Sequence, residues 1–142
     1  MRLRILAVGK LKQPGLEALV SDYTRRSRSF LPLELVHLRD LAALRGRTQP
    51  ASSGPRVVLD ERGEQITSET LADWLGTWRA AGIRQVDFLI GDAHGFDHAD
   101  REAADRVMGL SRLTLPHRLA QVLLAEQLYR AGTILAGHPY HH

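Results

Sequence analysis

Residues 86–108 read VDFLIGDAHGFDHADREAADRVM, and the changes of period along this stretch set the fold class. VDFLIG is a short, nearly continuous apolar run, the pattern of a strand covered on both faces. DAHGFDH is a polar loop that, with Gly91 before it, carries two glycines, Gly91 and Gly95. ADREAADRVM then has helical spacing, and Asp97 stands where a helix cap belongs. A strand leading through a loop into a helix is half of a βαβ unit, and such units build parallel sheets.

The same alternation runs outward in both directions. Towards the N-terminus, RLRILAV reads as a strand, Gly15 to Arg26 as an amphipathic helix carrying Leu16, Leu19, Val20 and Tyr23, and LELVHL as a second strand. RGRTQPASSGP, residues 45–55, is the one linker-like loop. RVVLD is a third strand followed by a turn at Glu61–Gly63, and Thr67 or Ser68 caps a helix that runs past Trp74 and Trp78 to stop at Gly82. Towards the C-terminus, RLTL reads as a last strand and Arg118 to about Leu135 as a last helix. The expectation is an α/β fold of one domain over residues 1–142, a mainly parallel sheet with helices on both faces. Such sheets bind ligands beyond the carboxyl ends of their strands, here after VVLD, FLIG and LTL.

The chain has 142 residues, 44% of them hydrophobic and 25% charged, the composition of an ordinary globular domain with a sizeable core. Met1 leads straight into an alternating strand pattern, with no apolar signal segment. No run approaches the roughly 18 apolar residues of a membrane span. A cytoplasmic protein without a membrane partner is expected. There are no cysteines, which excludes disulfides and thiolate metal sites. Of the 19 basic residues only Lys10 and Lys12 are lysine. Arginine suits bidentate phosphate contacts, so YTRRSRSF, with Arg25, Arg26 and Arg28, is a candidate patch for an anionic partner. A charge run of this kind is also compatible with a plain solvated face.

Three places carry candidate chemistry. In the loop after FLIG, glycines let backbone approach a ligand closely, and the following helix start offers free N–H groups. A tight turn with a capping aspartate explains the same residues. A third reading makes Asp92, His94, Asp97 and His98 oxygen and imidazole ligands of a metal. In LTLPH, Pro116 suits the first helical position and His117 sits at the helix start. It lies nine residues before Glu126, so the two are not a local dyad. The last helix is apolar on nearly every side, with Leu119, Val122, Leu123, Leu124, Leu128 and Leu135, which implies burial in a core or against a partner. Its Glu126 needs a partner if buried, and Arg130 is four residues on. The tail GHPYHH adds His138, Tyr140, His141 and His142, groups able to stack on a base or move a proton near neutral pH.

FLIGDAHG, LSRLTLPHRLAQVLLAEQLYRA and GHPYHH, in this order, resemble the ribosomal large-subunit methyltransferase H family of the SPOUT class. LRILAVGKLK, YTRRSRSF, LELV and VVLDERGEQITSETLADWL also fall where that family has counterparts, so the resemblance covers nearly the whole chain. It implies an α/β fold with a C-terminal trefoil knot, a homodimer, and S-adenosylmethionine as cofactor. The implied reaction is N3-methylation of a pseudouridine in 23S rRNA, with the large subunit or the assembled ribosome as partner. Carried across motif by motif, the cofactor site comprises Leu59, Gly91, Asp92, Gly95 and the run Leu110, Ser111, Arg112, Leu113, Thr114 and Leu115. His117, Tyr140 and His141 are implied to serve the target base, the polar tip of the last helix completing an active site.

The chain departs from the family in two places. The family usually has a GGPEG-like loop where this chain has GDAHG, so Asp92 stands for a glycine and His94 for an acid. On sequence grounds, Asp92→Gly should leave cofactor binding unchanged or tighter. The segment around residues 42–55 also reads as shorter and without a charged helix. Two rivals follow from the loop: an RNA-binding protein of the same fold that has lost catalysis, and a metal-dependent hydrolase using Asp92, His94 and His98.

Overall fold

The computed structural model describes residues 1–48 and 54–142. Among these the order is β1 (Arg2–Val8), α1 (Pro14–Ser27), β2 (Leu33–Leu38), α2 (Leu41–Arg47), β3 (Arg56–Gln65), α3 (Ser68–Ala80), β4 (Gln85–Ile90), α4 (His98–Ala103), β5 (Arg106–Gly109) and α5 (His117–Leu135). The five strands form one sheet in the order β2-β1-β4-β3-β5, and every pairing is parallel. The α/β fold with a parallel sheet expected from the sequence is therefore present.

The strands are covered on both faces, and their alternation shows it. Leu3, Ile5 and Ala7 of β1, Val86, Phe88 and Ile90 of β4 and Val57 of β3 meet Val20 of α1, Leu71 and Leu75 of α3, and Leu124 and Leu128 of α5. The intervening Leu6, Val8, Val58 and Leu89 form a smaller core with Leu44 of α2 and Phe96. On that second face, Arg4 and Asp87 are directly paired neighbours of β1 and β4. Two parallel N–H···O contacts of 2.8 Å join them, with Asp87 only 2% exposed. This fork geometry satisfies both charges inside the sheet.

Local chemistry fixes the helix starts. Thr67 accepts from the Thr70 amide and caps α3, Asp40 does the same for α2 from Ala43, and Asp97 and Asp100 form a reciprocal box at α4. Arg45 of α2 grips Asp100 with two contacts of 2.7 Å, so α2 and α4 are tied on the same side of the sheet. α5 lies over the opposite face between α1 and α3.

Four sequence expectations are corrected. RLTL is not a strand. The fifth strand is RVMG, Arg106–Gly109, and the helix read as ADREAADRVM ends at Ala103. Asp105 breaks it through contacts remote in sequence: its carboxylate accepts from the Arg56 amide at 2.8 Å and its own amide donates to the Arg56 carbonyl at 2.9 Å. The turn read at Glu61–Gly63 is a bulge inside one strand, since Leu59 and Glu64 both register against Met108. Gly63 permits the close approach, because a Cβ there would lie 2.6 Å from the Met108 backbone. Finally, the linker-like loop 45–55 begins inside α2, whose last three residues include Arg45 and Arg47; residues 49–53 of that loop lie outside the described residues. The segment thus has a short helix with two basic residues where none was expected.

Candidate active site

A pocket of about 410 Å³ opens at the carboxyl ends of β4 and β5, beside the bulge of β3, where a parallel sheet receives its ligands. Its size falls in the ordinary range of small-molecule sites. The walls include Leu59, Gly91, Asp92, Gly95, Leu110, Ser111, Leu113, Thr114 and Leu115, with His117 and Ala120 from the first turn of α5. Nine of the ten residues carried across as cofactor contacts thus share one cavity; Arg112 is exposed and does not line it. The run Leu110–Leu115 reaches the pocket because it leaves the end of β5 directly, not because it is itself a strand.

The loop of β4 is shaped by its own residues. The Asp92 carboxylate accepts from the His94 amide at 2.9 Å, and the Gly95 amide donates to the Asp92 carbonyl at 2.9 Å. This is an Asx-type turn. Gly95 closes it with φ +72, a conformation that favours glycine. At Gly91 a Cβ would stand 3.3 Å from the buried Phe96 ring, so the strand end is held close under the pocket floor. His94 and His98 are exposed, and His98 faces Glu102 at 3.6 Å. Among the described residues no group of three His, Asp or Glu side chains comes together as a metal site, so Asp92, His94 and His98 do not form the cluster a hydrolase would need.

Sequence reasoning missed Asp60, Glu61 and Arg62, which also line the pocket because the bulge of β3 turns them towards it. The wall that results combines apolar side chains (Leu59, Ile90, Leu110, Leu113, Leu115) with the carboxylates of Asp60, Glu61 and Asp92. That donor set fits S-adenosylmethionine: a flat apolar face for adenine, acceptors for ribose hydroxyls and the amino group, and negative charge for the sulfonium.

His117 begins α5, with Pro116 as the residue before the helix rather than its first member. Its Nε2 is hydrogen-bonded to the Val8 carbonyl at the end of β1. A carbonyl only accepts, so Nε2 carries the hydrogen, and in the neutral ring Nδ1 has the free lone pair.

Tyr140 and His141 are not beside His117. The Tyr140 hydroxyl meets Glu126, nine residues and about 14 Å along α5 from His117. One chain therefore does not bring the three together. The tail instead folds back on the C-terminal half of α5. Glu126 accepts from Arg130 at 2.6 and 2.9 Å, from Gln127 at 2.8 Å and from the Tyr140 hydroxyl at 3.0 Å. Arg130 donates to His141 Nδ1 at 3.1 Å, and His141 Nε2 meets Glu69 of α3 at 2.8 Å. Burial, then the bond to Glu126, pushes the Tyr140 phenol up to about 12. The contact from His141 holds Glu69 below the usual carboxylate range, and Glu126 raises Arg130. The partner expected for Glu126, Arg130, is in place, and Tyr140 packs edge-on against Tyr129 at 4.7 Å.

The apolar surplus of α5 is smaller than the sequence implied. Val122, Leu124 and Leu128 are buried within the chain, whereas Leu119 and Leu123 stay 38% exposed and Leu113 76% exposed. No helix among the described residues is long and apolar enough to cross a membrane.

A family model described as "Predicted SPOUT methyltransferase" matches residues 1–141. Proteins called ribosomal RNA large subunit methyltransferase H are similar over the full length. The one from Geobacter metallireducens is 42% identical, with 100% of this chain and 99% of that protein covered. The one from Thermus thermophilus is 46% identical, with 99% and 98% covered. Among solved structures, a probable methylase family protein from Haemophilus influenzae aligns with a TM-score of 0.59 at 9% identity, covering 99% of this chain and 70% of that one. A probable methyltransferase from Bordetella pertussis gives 0.57 at 15%, covering 92% and 95%. At such identities the two structures speak for the fold alone.

Proposed function

Because the chain belongs to the SPOUT methyltransferase family, we propose that it methylates large-subunit ribosomal RNA, at N3 of a pseudouridine in 23S rRNA, with S-adenosylmethionine as donor. The observation that carries this is the shared pocket. Leu59, Gly91, Asp92, Gly95 and most of Leu110–Leu115 line one cavity at the strand ends, with His117 at its edge. The relatives' name supplies the RNA.

When bound, S-adenosylmethionine supplies an activated methyl group. The protein then has two tasks: to hold the acceptor nitrogen in line with that methyl group, and to receive the proton the nitrogen loses. The apolar wall and the backbone of the Gly91–Gly95 turn bind and orient the donor. Glu61 is the carboxylate placed to balance its positive charge, since Asp92 closes the turn through the His94 amide and Asp60 is paired with Arg62 and Arg101. His117 Nδ1, with Nε2–H fixed on the Val8 carbonyl, is the proton acceptor. The target base must leave its stack to reach this depth.

The active species is a homodimer. Leu119 and Leu123 form an exposed apolar stripe on α5 beside the pocket, while the tail sits at the other end of the same helix. Pairing two α5 helices antiparallel about a two-fold axis covers the stripes. It also lays the partner subunit's Tyr140 and His141 over this pocket, reuniting with His117 the groups one chain keeps apart. Phosphate contacts from the arginine-rich surface of two chains supply much of the RNA affinity. The same reading takes residues 1–142 as one cytoplasmic domain with the C-terminal trefoil knot expected from the sequence.

Mass-spectrometric mapping of 23S rRNA from a deletion strain tests the reading. One pseudouridine should lose a methyl group and regain it on complementation with the wild-type chain. Unchanged 23S rRNA would overturn it. Calorimetry with S-adenosylmethionine separates the catalytically inert RNA-binding rival, which predicts no cofactor binding.

A further inference from the structure

A buried polar side chain stands behind His117 and has no part in the chemistry so far. Gln121, one turn along α5, is 0% exposed. Its Oε1 is 3.0 Å from His37 Nε2, and its Nε2 lies 3.5 Å from the Gly9 carbonyl and 3.5 Å from His117 Nε2. His37 comes from β2, in register with Ala7 of β1, on the sheet face that α5 covers. Two successive carbonyls at the end of β1, Val8 and Gly9, thus meet two side chains one helical turn apart.

With the amide placed as it stands, the donors and acceptors agree. The Gln121 amide nitrogen faces the Gly9 carbonyl at 3.5 Å. Gln121 Oε1 then accepts from His37 Nε2–H. His117 donates through Nε2 to Val8, and the Gln121 N–H beside it is no acceptor for that hydrogen.

We propose that Gln121, anchored by His37, is a positioning residue for His117. It occupies the Gly9 carbonyl, leaves Val8 as the single acceptor for His117 Nε2–H, and so keeps Nδ1 as the proton-accepting atom. The proposal rests on the reading of His117 as the base, but its central claim, a single fixed tautomer, is observable without any reaction. A buried glutamine is worth its desolvation only if its partners are held. Here they are the strand end on which the histidine hangs and His37 of the neighbouring strand.

The test uses the full chain with ¹⁵N-labelled histidine, assigning His117 by comparison with His117→Ala. In the wild type, Nε2 should show the signature of a protonated ring nitrogen and Nδ1 that of a bare one at neutral pH. In Gln121→Leu the two forms should interconvert and their signals average. Methyl transfer at saturating substrates should fall about tenfold to a hundredfold, the range a displaced catalytic group produces, with cofactor Kd within about twofold. His37→Leu, which strands Gln121 Oε1, should act in the same direction, and His37→Gln, which restores a donor, should rescue it. A wild-type His117 protonated on Nδ1 overturns the proposal. So does a single, unchanged tautomer in both Gln121→Leu and His37→Leu when thermal melts show both folded. If the tautomer responds as stated but His117→Ala methylates at the wild-type rate, the assignment of His117 as base fails and the positioning relation stands.

Discussion

Replacing Asp92 by glycine should weaken cofactor binding, although the sequence alone suggested the opposite. The carboxylate is not free. It accepts from the His94 amide at 2.9 Å and thereby closes the turn that forms one wall of the pocket. Asp92→Gly removes that hydrogen bond, worth about 0.5–1.5 kcal/mol net. It also adds backbone freedom worth about 0.4–1 kcal/mol in the open loop. Together these shift the loop from ordered to open by about 1–2.5 kcal/mol. If binding must re-form the turn, apparent affinity falls by the same free energy, about fivefold to seventyfold. Asp92→Asn separates turn from charge: its side-chain oxygen still accepts from His94, so a structural role predicts a Kd within about twofold of wild type. Isothermal titration with S-adenosylmethionine reads both. Equal or tighter binding by Asp92→Gly refutes the turn argument, and a large loss in Asp92→Asn shows that charge, not turn geometry, is what the pocket uses.

Asp87→Ala should destabilise the fold by about 3–5 kcal/mol, because it strands the Arg4 guanidinium inside the sheet; urea unfolding checks this, and a loss under 1 kcal/mol contradicts it. Leu119→Arg with Leu123→Arg should turn a dimer at micromolar concentration into a monomer by sedimentation equilibrium, with methyl transfer lost; a monomeric but fully active double variant removes the two-chain site. Tyr140 should ionise near pH 12. A phenol whose folded pKa is raised contributes stability that is complete below about pH 10 and is lost as pH climbs through the folded value. Alkaline absorbance titration of wild type minus Tyr140→Phe should show that late step, and an ordinary ionisation near 10 would mean the tail is not docked. Truncation after Gly137 should cut methyl transfer at least about a hundredfold while changing cofactor Kd less than about tenfold; unchanged methylation of ribosomes would make the tail an ordinary chain end.

The parts of the fold that could be read from sequence are those whose signal is local. β1, β4, the caps Thr67 and Asp97, and the Gly82 stop each declare themselves within a few residues. β5 does not. Val107 and Met108 follow a helical run without a glycine or proline, and the break at Asp105 depends on Arg56, which is 49 positions away. RLTL misleads for the converse reason: it alternates properly, yet nothing pairs with it, and Leu113 stays exposed. The same division holds at the site. Nearly all the pocket residues carried by motif converge, whereas Asp60, Glu61 and Arg62 arrive through a bulge made by contact with Met108. Gln121 had one local sign, its spacing of four from His117. The separation of the tail from His117 was only partly legible: the helix length is countable, but the fold-back that brings Tyr140 to Glu126 depends on packing.

That length has a consequence of its own. If the tail of one chain serves the pocket of the other, α5 is a gauge, and its 19 residues set a distance rather than a stability. Adding one residue near its middle displaces Tyr140 and His141 by about 1.5 Å along the axis and swings them through about 100°. A chain lengthened this way with alanine would stay helical and could still bind cofactor, yet present its tip to the wrong side of the neighbouring cavity. This helix can change its letters but not its count.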